Sequence, residues 1–221
     1  MTLIDRYDYY VFDCDGVILD SNHLKIEAMK NALLALSVSS IDVDKCCEYF
    51  AKNFGKSRFH HVEAFVDQYL DLNGGSKELF TSQCLQLYSQ QCMSLYLDAP
   101  ITEGFIEFVQ NLTGDKFVAS GSEQGELREI LKQRSLSQYF KQVYGSPRVK
   151  SDLLASIIEI KKSKNGVMIG DALSDLDAAK DNEIDFIAYR SCSCIPQHLT
   201  VATRDSGFYV VDSWKELKRY I

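Results

Sequence analysis

The sequence predicts an α/β protein with a Rossmann-like parallel sheet as its core and an all-helical domain inserted after the first strand. From residue 98 onward, strand-like apolar runs alternate with helical patterns, which in one sheet requires parallel strands joined by right-handed crossovers. Between residues 21 and 97, helical periodicities follow one another without a strand-like run. We therefore expect a core domain formed by residues 1–20 and 98–221 and a helical domain formed by residues 21–97.

The first predicted strand is the apolar run Tyr9–Phe12, which ends at two aspartates, Asp13 and Asp15, followed directly by Gly16. Its residues favour β structure and do not alternate with polar ones, as expected of a strand buried on both faces of a parallel sheet. In open α/β sheets, ligands bind at the carboxyl ends of the strands. Two carboxylates at this edge favour a bound cation, and ligation by oxygen alone indicates a hard ion such as Mg²⁺. The alternative is a simple tight turn, because Asp and Gly both favour bends.

Four helical patterns are predicted between the first strand and residue 97. The first carries an apolar stripe with a period of four, and the second is a shorter candidate. The third is predicted to end at Asn73-Gly74-Gly75, and Ser76 is predicted to start the fourth. The patterns rest, in order, on Leu24, Ala28, Ala32 and Leu36; on residues 42–54; on Phe59, Val62, Phe65, Tyr69 and Leu72; and on Phe80, Cys84, Leu87, Cys92 and Leu95.

The chain is predicted to return to the core domain at residues 98–104, where Pro100 and Gly104 interrupt the helical pattern. The strands predicted after this point are 116–120, 142–145, 166–171, 185–189 and 208–211. The helices predicted between and after them are 105–112, 124–134, 149–160 and 213–220.

The composition excludes several classes of partner. The formal net charge of −7 argues against a nucleic-acid or anionic-membrane surface. The sequence has no run of about 18 apolar residues, and its first ten residues lack the pattern of a signal peptide. Seven scattered cysteines indicate reduced thiols rather than a disulfide framework. We therefore expect a cytoplasmic protein, a monomer or a weak dimer, whose partner is a small molecule.

Polar residues stand at the ends of four predicted strands or at the helix that follows. They are Asp13 with Asp15, Ser120, Lys150 and Asp171. Because a parallel sheet brings its carboxyl ends to one edge, these residues are expected to converge. Any one of them is weak evidence, since a serine after a strand or a Gly-Asp pair is common by chance.

The stretch from Asp13 to Ser21 resembles the first motif of the haloacid dehalogenase superfamily, Asp-x-Asp-Gly-Val-x-x-Asp-Ser. The matching positions are Asp13, Asp15, Gly16, Val17, Asp20 and Ser21. Ser120, Lys150 and Asp171 resemble the three later motifs in their order along the chain. The resemblance implies the fold of that superfamily, a helical cap of the phosphoglycolate phosphatase and β-phosphoglucomutase branch, and an enzyme acting on a small phosphorylated metabolite.

The chemistry of phosphate-ester hydrolysis gives each of these residues an expected role. Asp13 is the expected nucleophile, forming an aspartyl phosphate. Asp15 is the expected acid and base, with a pKa raised by burial and neighbouring negative charge. Mg²⁺ is expected on Asp13, the backbone carbonyl of Asp15, and Asp171. Asp175 either supports the metal or is an acid favoured by the dipole of a helix start.

The remaining candidate residues bind the substrate. Ser120 is expected to bind a phosphate oxygen, helped by the backbone N–H groups of Gly121 and Ser122 at a helix start, although an N-cap serine without a ligand is the alternative. Lys150 is expected to neutralise the nucleophile and the phosphate; the family often has Lys-Pro where this chain has Lys150-Ser151, and Arg148 is a second candidate. In the helical domain, Lys56 and Arg58 are either contacts to a second part of the substrate or ordinary surface cations.

Three functions remain open at this point. The first is a Mg²⁺-dependent phosphatase for a sugar phosphate or a phosphoglycolate-type substrate. The acid at position 15 favours it, because phosphate esters need a proton donor whereas the dehalogenase branch has no acid there. The second is a phosphomutase, and the third is a non-catalytic protein that binds a phospho-ligand. The sequence does not identify the substrate or the pathway.

Overall fold

The computed structural model describes residues 3–219 and contains a six-stranded parallel sheet in the order β3-β2-β1-β4-β5-β6. The strands are β1 Tyr9–Phe12, β2 Asp115–Glu123, β3 Gln142–Ser146, β4 Gly166–Gly170, β5 Asp185–Tyr189 and β6 Tyr209–Val211. All five pairings are parallel. The prediction of an α/β fold with a parallel Rossmann-like sheet is confirmed.

Strand β1 lies at the centre of the sheet and carries the core on both of its faces. Tyr10 and Phe12 pack into one hydrophobic cluster, while Tyr9 and Val11 pack into another. This division follows from the strand's period of two, which sends successive side chains to opposite faces. The strand order reverses at β1, between β2 on one side and β4 on the other. In doubly wound sheets, such a reversal leaves a crevice at the carboxyl ends of the strands.

Ten α-helices occur among residues 3–219. They are α1 Asn22–Ala35, α2 Ser40–Lys52, α3 Arg58–Ala64, α4 Gly74–Asp98, α5 Phe105–Asn111, α6 Gln124–Gln133, α7 Lys150–Lys161, α8 Leu173–Asp181, α9 Pro196–Asp205 and α10 Trp214–Arg219. A π-helical turn, Phe65–Tyr69, follows α3 directly. Helix α9 was not predicted, and the predicted final helix extends to Tyr220, which lies outside the described residues. Within the described part of the chain, no helix combines the length and apolarity needed to cross a bilayer.

The segment from Asn22 to Asp98, called here the helical segment, contains α1 to α4 and the π-helical turn. Two chain stretches join it to the sheet, and they lie side by side. Asp20 N donates to Pro100 O over 2.8 Å, and Leu19 forms an antiparallel bridge with Ile101. The two crossings are therefore tied together at the base of the helical segment.

The prediction that Asn73-Gly74-Gly75 ends a helix is wrong. Asn73 is extended, with φ −70° and ψ 150°, and Gly74 opens α4. The preceding helix stops earlier because the π-helical turn ends at Tyr69 and the chain is extended at Leu70. The predicted start of this helix at Ser76 is two residues late. Leu87 and Leu95 of the predicted apolar stripe are not among its buried residues. The buried residues of α4 recur every four residues and are Phe80, Cys84, Tyr88, Cys92 and Tyr96.

Strand β2 is longer than predicted, and this changes the setting of Gly121 and Ser122. Both residues lie within β2, so they do not stand at a helix start. Helix α6 begins two residues later, where the Glu123 carboxylate accepts hydrogen bonds from the backbone N–H groups of Gly125 and Glu126. The side chain of Glu123 therefore caps α6, and the prediction that Gly121 and Ser122 stand at the start of this helix is wrong.

Candidate active site

Three carboxylates converge where β1 and β4 end. Asp13 follows β1, Asp171 follows β4, and Asp175 lies in the first turn of α8. Each offers an oxygen within 4.8 Å of the other two, and all three side chains are buried. Asp13 and Asp171 are far apart in the chain and meet here because β1 and β4 are neighbours in register, with Phe12 opposite Ile169.

Lys150 is the cation that partners this cluster. It begins α7, and its Nζ lies 2.9 Å from Asp13 Oδ2 and also contacts Asp175 Oδ1. Burial alone lowers the pKa of the Lys150 ammonium, but Asp13 and Asp175 more than reverse this, so the pKa is raised. Lys150 is therefore a buried charge and not the surface lysine that is the usual fate of this residue type. Arg148, the second candidate, is turned outward and bonds the Asp152 carbonyl and Ser156.

Asp175 also shapes the loop between β4 and α8. Its Oδ2 accepts hydrogen bonds of 3.1 Å from the backbone N–H groups of Asp171 and Ala172. A Cβ on Gly170 would lie 2.3 Å from the Asp175 Cβ, so glycine is required for this close approach. Asp175 therefore lies at a helix start and also faces Asp13 and Asp171, and its support of a metal stays a prediction.

The cluster holds more negative charge than Lys150 can balance. Burial raises the pKa of Asp13 to about 7, with Asp175 and Asp15 adding to the effect and Lys150 opposing it. Burial, followed by the charges of Asp13 and Asp175, raises the pKa of Asp171 well above its usual value. Asp171 Oδ1 is buried and has no hydrogen-bond partner among the described residues. An unpaired carboxylate oxygen beside two others suits a hard divalent cation, so the residues present fit Mg²⁺.

Asp15 lies beside this cluster with both carboxylate oxygens saturated by hydrogen bonds. Oδ1 accepts from Ser21 Oγ (2.6 Å) and Tyr96 Oη (2.7 Å), and Oδ2 accepts from Lys25 Nζ (2.8 Å) and Ser122 Oγ (2.8 Å). The sequence predicted a raised pKa for Asp15, and this prediction is wrong for this conformation. Burial raises the pKa of Asp15, but Lys25 and the hydrogen bonds outweigh it, so the pKa is lowered.

The residues that hold Asp15 and Asp171 include several that sequence reasoning missed. Lys25 and Tyr96 come from the first and last helices of the helical segment, and Asn22 Nδ2 donates to Asp171 Oδ2 over 2.6 Å. The helical periodicity gave a weak indication that Lys25 is buried, because it lies on the buried face of α1, three residues before Ala28. Burial of Tyr96 was indicated in the same way, since this residue continues the four-residue period of the buried face of α4.

Ser120 and Ser122 are buried near the end of β2 and line the same pocket as Asp13 and Asp15. Ser122 N donates to Ser120 Oγ over 3.1 Å. Residues two positions apart in a strand point to the same side, so Ser120 and Ser122 can both face the pocket. The register between β2 and β3 shifts between Ala119 and Glu123, in the part of β2 that carries both serines.

Gly121 is a point of close contact between the helical segment and the sheet. A Cβ at this position would lie 2.4 Å from Gly55 O and 2.7 Å from Lys56 O. On its other side, the same loop meets α8, because a Cβ on Gly55 would lie 2.1 Å from Ser174 Oγ. Gly55 has a φ of +87°, which favours glycine. The loop from Phe54 to Lys56 is therefore wedged between β2 and α8.

Lys56 and Arg58 differ in their surroundings. The Lys56 side chain is exposed and bonds Asn53 Oδ1 over 3.3 Å. Arg58 is buried, so its interpretation as an ordinary surface cation is wrong. Its guanidinium lies over the Tyr88 ring, 5.0 Å from the centroid, and forms two hydrogen bonds with Glu126.

The pocket that contains Asp13 and Asp15 is nearly filled by side chains. Its free volume is about 10 Å³, close to the space that one water molecule needs. A cleft of about 510 Å³ adjoins it and shares the loop from Phe54 to Lys56 and Gly121 as lining. A phosphate group would fit into this pocket only if the helical segment, or at least this loop, moved away from the sheet.

Comparison with known protein families gives a match to most of the chain. The family model described as haloacid dehalogenase-like hydrolase matches residues 10–189. No curated protein matches the sequence.

Three solved structures share the fold. A predicted phosphatase from Clostridium acetobutylicum has 20% sequence identity and a TM-score of 0.74, with 96% of each chain covered. A haloacid dehalogenase-like family hydrolase from Streptococcus pneumoniae has 17% identity and a TM-score of 0.75, with 97% of this chain and 98% of that chain covered. CbbY from Rhodobacter sphaeroides, in complex with phosphate, has 16% identity and a TM-score of 0.73, with 96% of each chain covered.

Proposed function

The chain belongs to the haloacid dehalogenase-like hydrolase family, and from this premise we propose that it is a Mg²⁺-dependent phosphatase acting on a small phosphorylated metabolite. The observation that carries the proposal is the buried group of Asp13, Asp171 and Asp175 around Lys150, at the edge where the strand order reverses. Burying four ionisable groups together costs stability, and such clusters are typical of functional sites.

Asp13 is the proposed nucleophile. Its Oδ2 pairs with Lys150, while Oδ1 accepts a hydrogen bond from the backbone N–H of Cys14 over 2.7 Å. These contacts fix the carboxylate at the end of β1. Attack on phosphorus forms an aspartyl phosphate and divides one slow displacement into two faster ones. Lys150 reduces the repulsion between the carboxylate and the anionic ester in the first of them.

Asp15 is the proposed acid and base. It gives a proton to the leaving oxygen in the first step and takes one from the attacking water in the second. The contacts to Lys25, Tyr96 and Ser122 stabilise its ionised form, which suits the second step. Protonated Asp15 requires the two donors of the helical segment, Lys25 and Tyr96, to withdraw. Entry of the substrate brings this about, because a phosphate does not fit into the pocket while the helical segment stays in place.

Ser120, Gly121 and Ser122 are the proposed phosphate-binding residues, since they line the same pocket as Asp13. Asp13, Asp171, the backbone carbonyl of Asp15 and Asp175 would hold Mg²⁺. The bound ion would neutralise phosphate charge and orient the ester for in-line attack. We propose that the helical segment acts as a cap that excludes water while the aspartyl phosphate forms.

Hydrolysis of p-nitrophenyl phosphate tests the proposal. We expect turnover with Mg²⁺, loss of turnover with EDTA, and recovery when Mg²⁺ is added in excess. Asp13→Asn should lower kcat by at least 10³-fold, because a carboxamide is a poor nucleophile. Activity at the wild-type rate in Asp13→Asn would refute the role of Asp13. A folded wild-type protein that releases no phosphate would favour a non-catalytic phospho-ligand binder instead.

A further inference from the structure

Arg58 occupies a position from which a cation could recognise the leaving group of a substrate. It lies at the start of α3 and lines the same pocket as Asp13 and Asp15. Its side chain is only 5% exposed, so its charge is little screened by solvent. A free guanidinium at this place would bind a second carboxylate or phosphate of the substrate through paired hydrogen bonds.

The Arg58 guanidinium is, however, already occupied. Glu126 from α6 accepts hydrogen bonds from both terminal nitrogens, Nη1 to Oε1 over 2.9 Å and Nη2 to Oε2 over 2.5 Å. Ser89 Oγ donates to Glu126 Oε1 and holds the carboxylate in place. An anion that approached the remaining donors of Arg58 would lie beside the Glu126 carboxylate. Such a contact between like charges is unfavourable, and more so at a poorly solvated site.

The other cations of the pocket do not replace Arg58. Lys25 Nζ is buried and paired with Asp15. Lys56 is exposed at the mouth, where solvent and salt weaken its hold on a single anion. Lys150 lines the adjoining cleft and is paired with Asp13 and Asp175. Among the described residues that line the pocket, each buried lysine or arginine therefore has an acidic partner.

We propose that Glu126 determines the substrate class by pairing with Arg58 whenever the helical segment closes on the sheet. This pairing withholds Arg58 from anions, so that the enzyme acts on phosphate monoesters with an uncharged, hydroxylated leaving group such as a sugar or polyol. This inference rests on the proposed phosphatase function and narrows it. It selects sugar-type monophosphates over phosphoglycolate and over bisphosphates. The neutral Arg58–Glu126 pair still offers hydrogen bonds to hydroxyl groups, which carry no charge to be repelled.

Two nearly isosteric probes test the proposal. 2-Hydroxyethyl phosphate and phosphoglycolate have leaving groups of similar size, but the second carries a carboxylate where the first has a hydroxymethyl group. We expect the wild-type kcat/KM for 2-hydroxyethyl phosphate to exceed that for phosphoglycolate at least tenfold. A wild-type preference for phosphoglycolate would overturn the inference without any variant being made. Failure to hydrolyse either probe or p-nitrophenyl phosphate would instead overturn the proposed function, and this inference with it.

Charge removal at Glu126 provides the second measurement. Glu126→Gln keeps the shape and one acceptor oxygen but leaves the Arg58 charge unbalanced, so the ratio of the two kcat/KM values should move at least tenfold toward phosphoglycolate. Adding Arg58→Gln to this variant should return the ratio to within about threefold of the wild-type value. Glu129→Gln is the matched control, because Glu129 lies on the exposed face of the same helix and bonds Gln133.

The pattern across these variants decides the matter. A ratio that stays at the wild-type value in folded Glu126→Gln, or that moves equally in Glu129→Gln, would contradict the proposal. The Lys56→Gln variant separates the exposed lysine from Arg58. It should change the kcat/KM values of both probes by the same factor, and a selective loss of phosphoglycolate turnover would assign anion recognition to Lys56 and refute the role given to Glu126.

Discussion

Replacement of Gly121 by alanine tests whether the contact between the helical segment and the sheet is needed for activity. The new Cβ would lie 2.4 Å from Gly55 O, 2.7 Å from Lys56 O and 2.9 Å from Gly55 C. Ordinary van der Waals contact begins at 3.4 Å, so the loop must withdraw by about 1 Å. All three contacts are backbone atoms, and rotation of a side chain cannot relieve them. The φ of Gly121 is one that alanine adopts without strain.

We expect this displacement to lower kcat for p-nitrophenyl phosphate by about 100-fold, because a misplacement of 1 Å in a catalytic arrangement costs about this much. The backbone N–H of residue 121 is retained in alanine, so a loss of activity would report the displaced loop and not a lost phosphate contact. Thermal unfolding followed by circular dichroism should show that the variant remains folded.

Gly75→Ala is the matched control for this experiment. Gly75 lies in the first turn of α4, and a Cβ there meets nothing within 4 Å. This variant should keep kcat within twofold of wild type. If Gly121→Ala is folded and also stays within twofold, close packing of the Gly55 loop on β2 is not required for the reaction, and the proposed cap function loses its structural basis.

Two further predictions concern buried charge. Lys150→Met leaves Asp13 and Asp175 buried without their cation, so the free energy of unfolding in urea should fall by about 3–5 kcal/mol. Addition of Mg²⁺ should restore part of the loss. Unchanged stability of the variant would contradict the ion pairing. His61 is buried, and desolvation is the main reason why its pKa is lowered from 6.5 to about 3. Between these two pH values the unfolded chain therefore binds a proton at His61 that the folded chain does not. Stability should fall by about 1.4 kcal/mol per pH unit between pH 6 and 4 from this group, and the unfolding free energy of His61→Gln measured across that range should lack this contribution; an identical slope in the variant would refute the assignment.

Strand positions were predictable because the information lies within each strand. Tyr9–Phe12 and Asp185–Tyr189 have the predicted limits, since continuous apolar residues with β propensity are enough to specify a buried parallel strand. The polar residues at the strand ends were predictable for the same reason. A parallel sheet must bring those ends to one edge, and the structure places Asp13 and Asp171 there together.

Helix limits were harder to predict where two signals competed. Asn73-Gly74-Gly75 suits a helix end by composition, but these residues start α4 because the preceding chain has already left the helix at Tyr69. Ser120-Gly121-Ser122 suits a helix start, but β2 continues through it because β3 provides a partner as far as Ser146. In both places, pairing and packing elsewhere in the chain overrode the local preference.

By itself the sequence determined the parallel sheet and its acidic edge, because both depend on propensity and periodicity among neighbouring residues. The tertiary structure decided the charge state of that edge. Tyr96 reaches Asp15 across 81 positions of the chain, and Arg58 reaches Glu126 across 68. These contacts exist because the helical segment packs on the carboxyl ends of the strands. The energy of a buried charge depends on which partner lies within a few ångströms of it, and distance along the chain does not specify that.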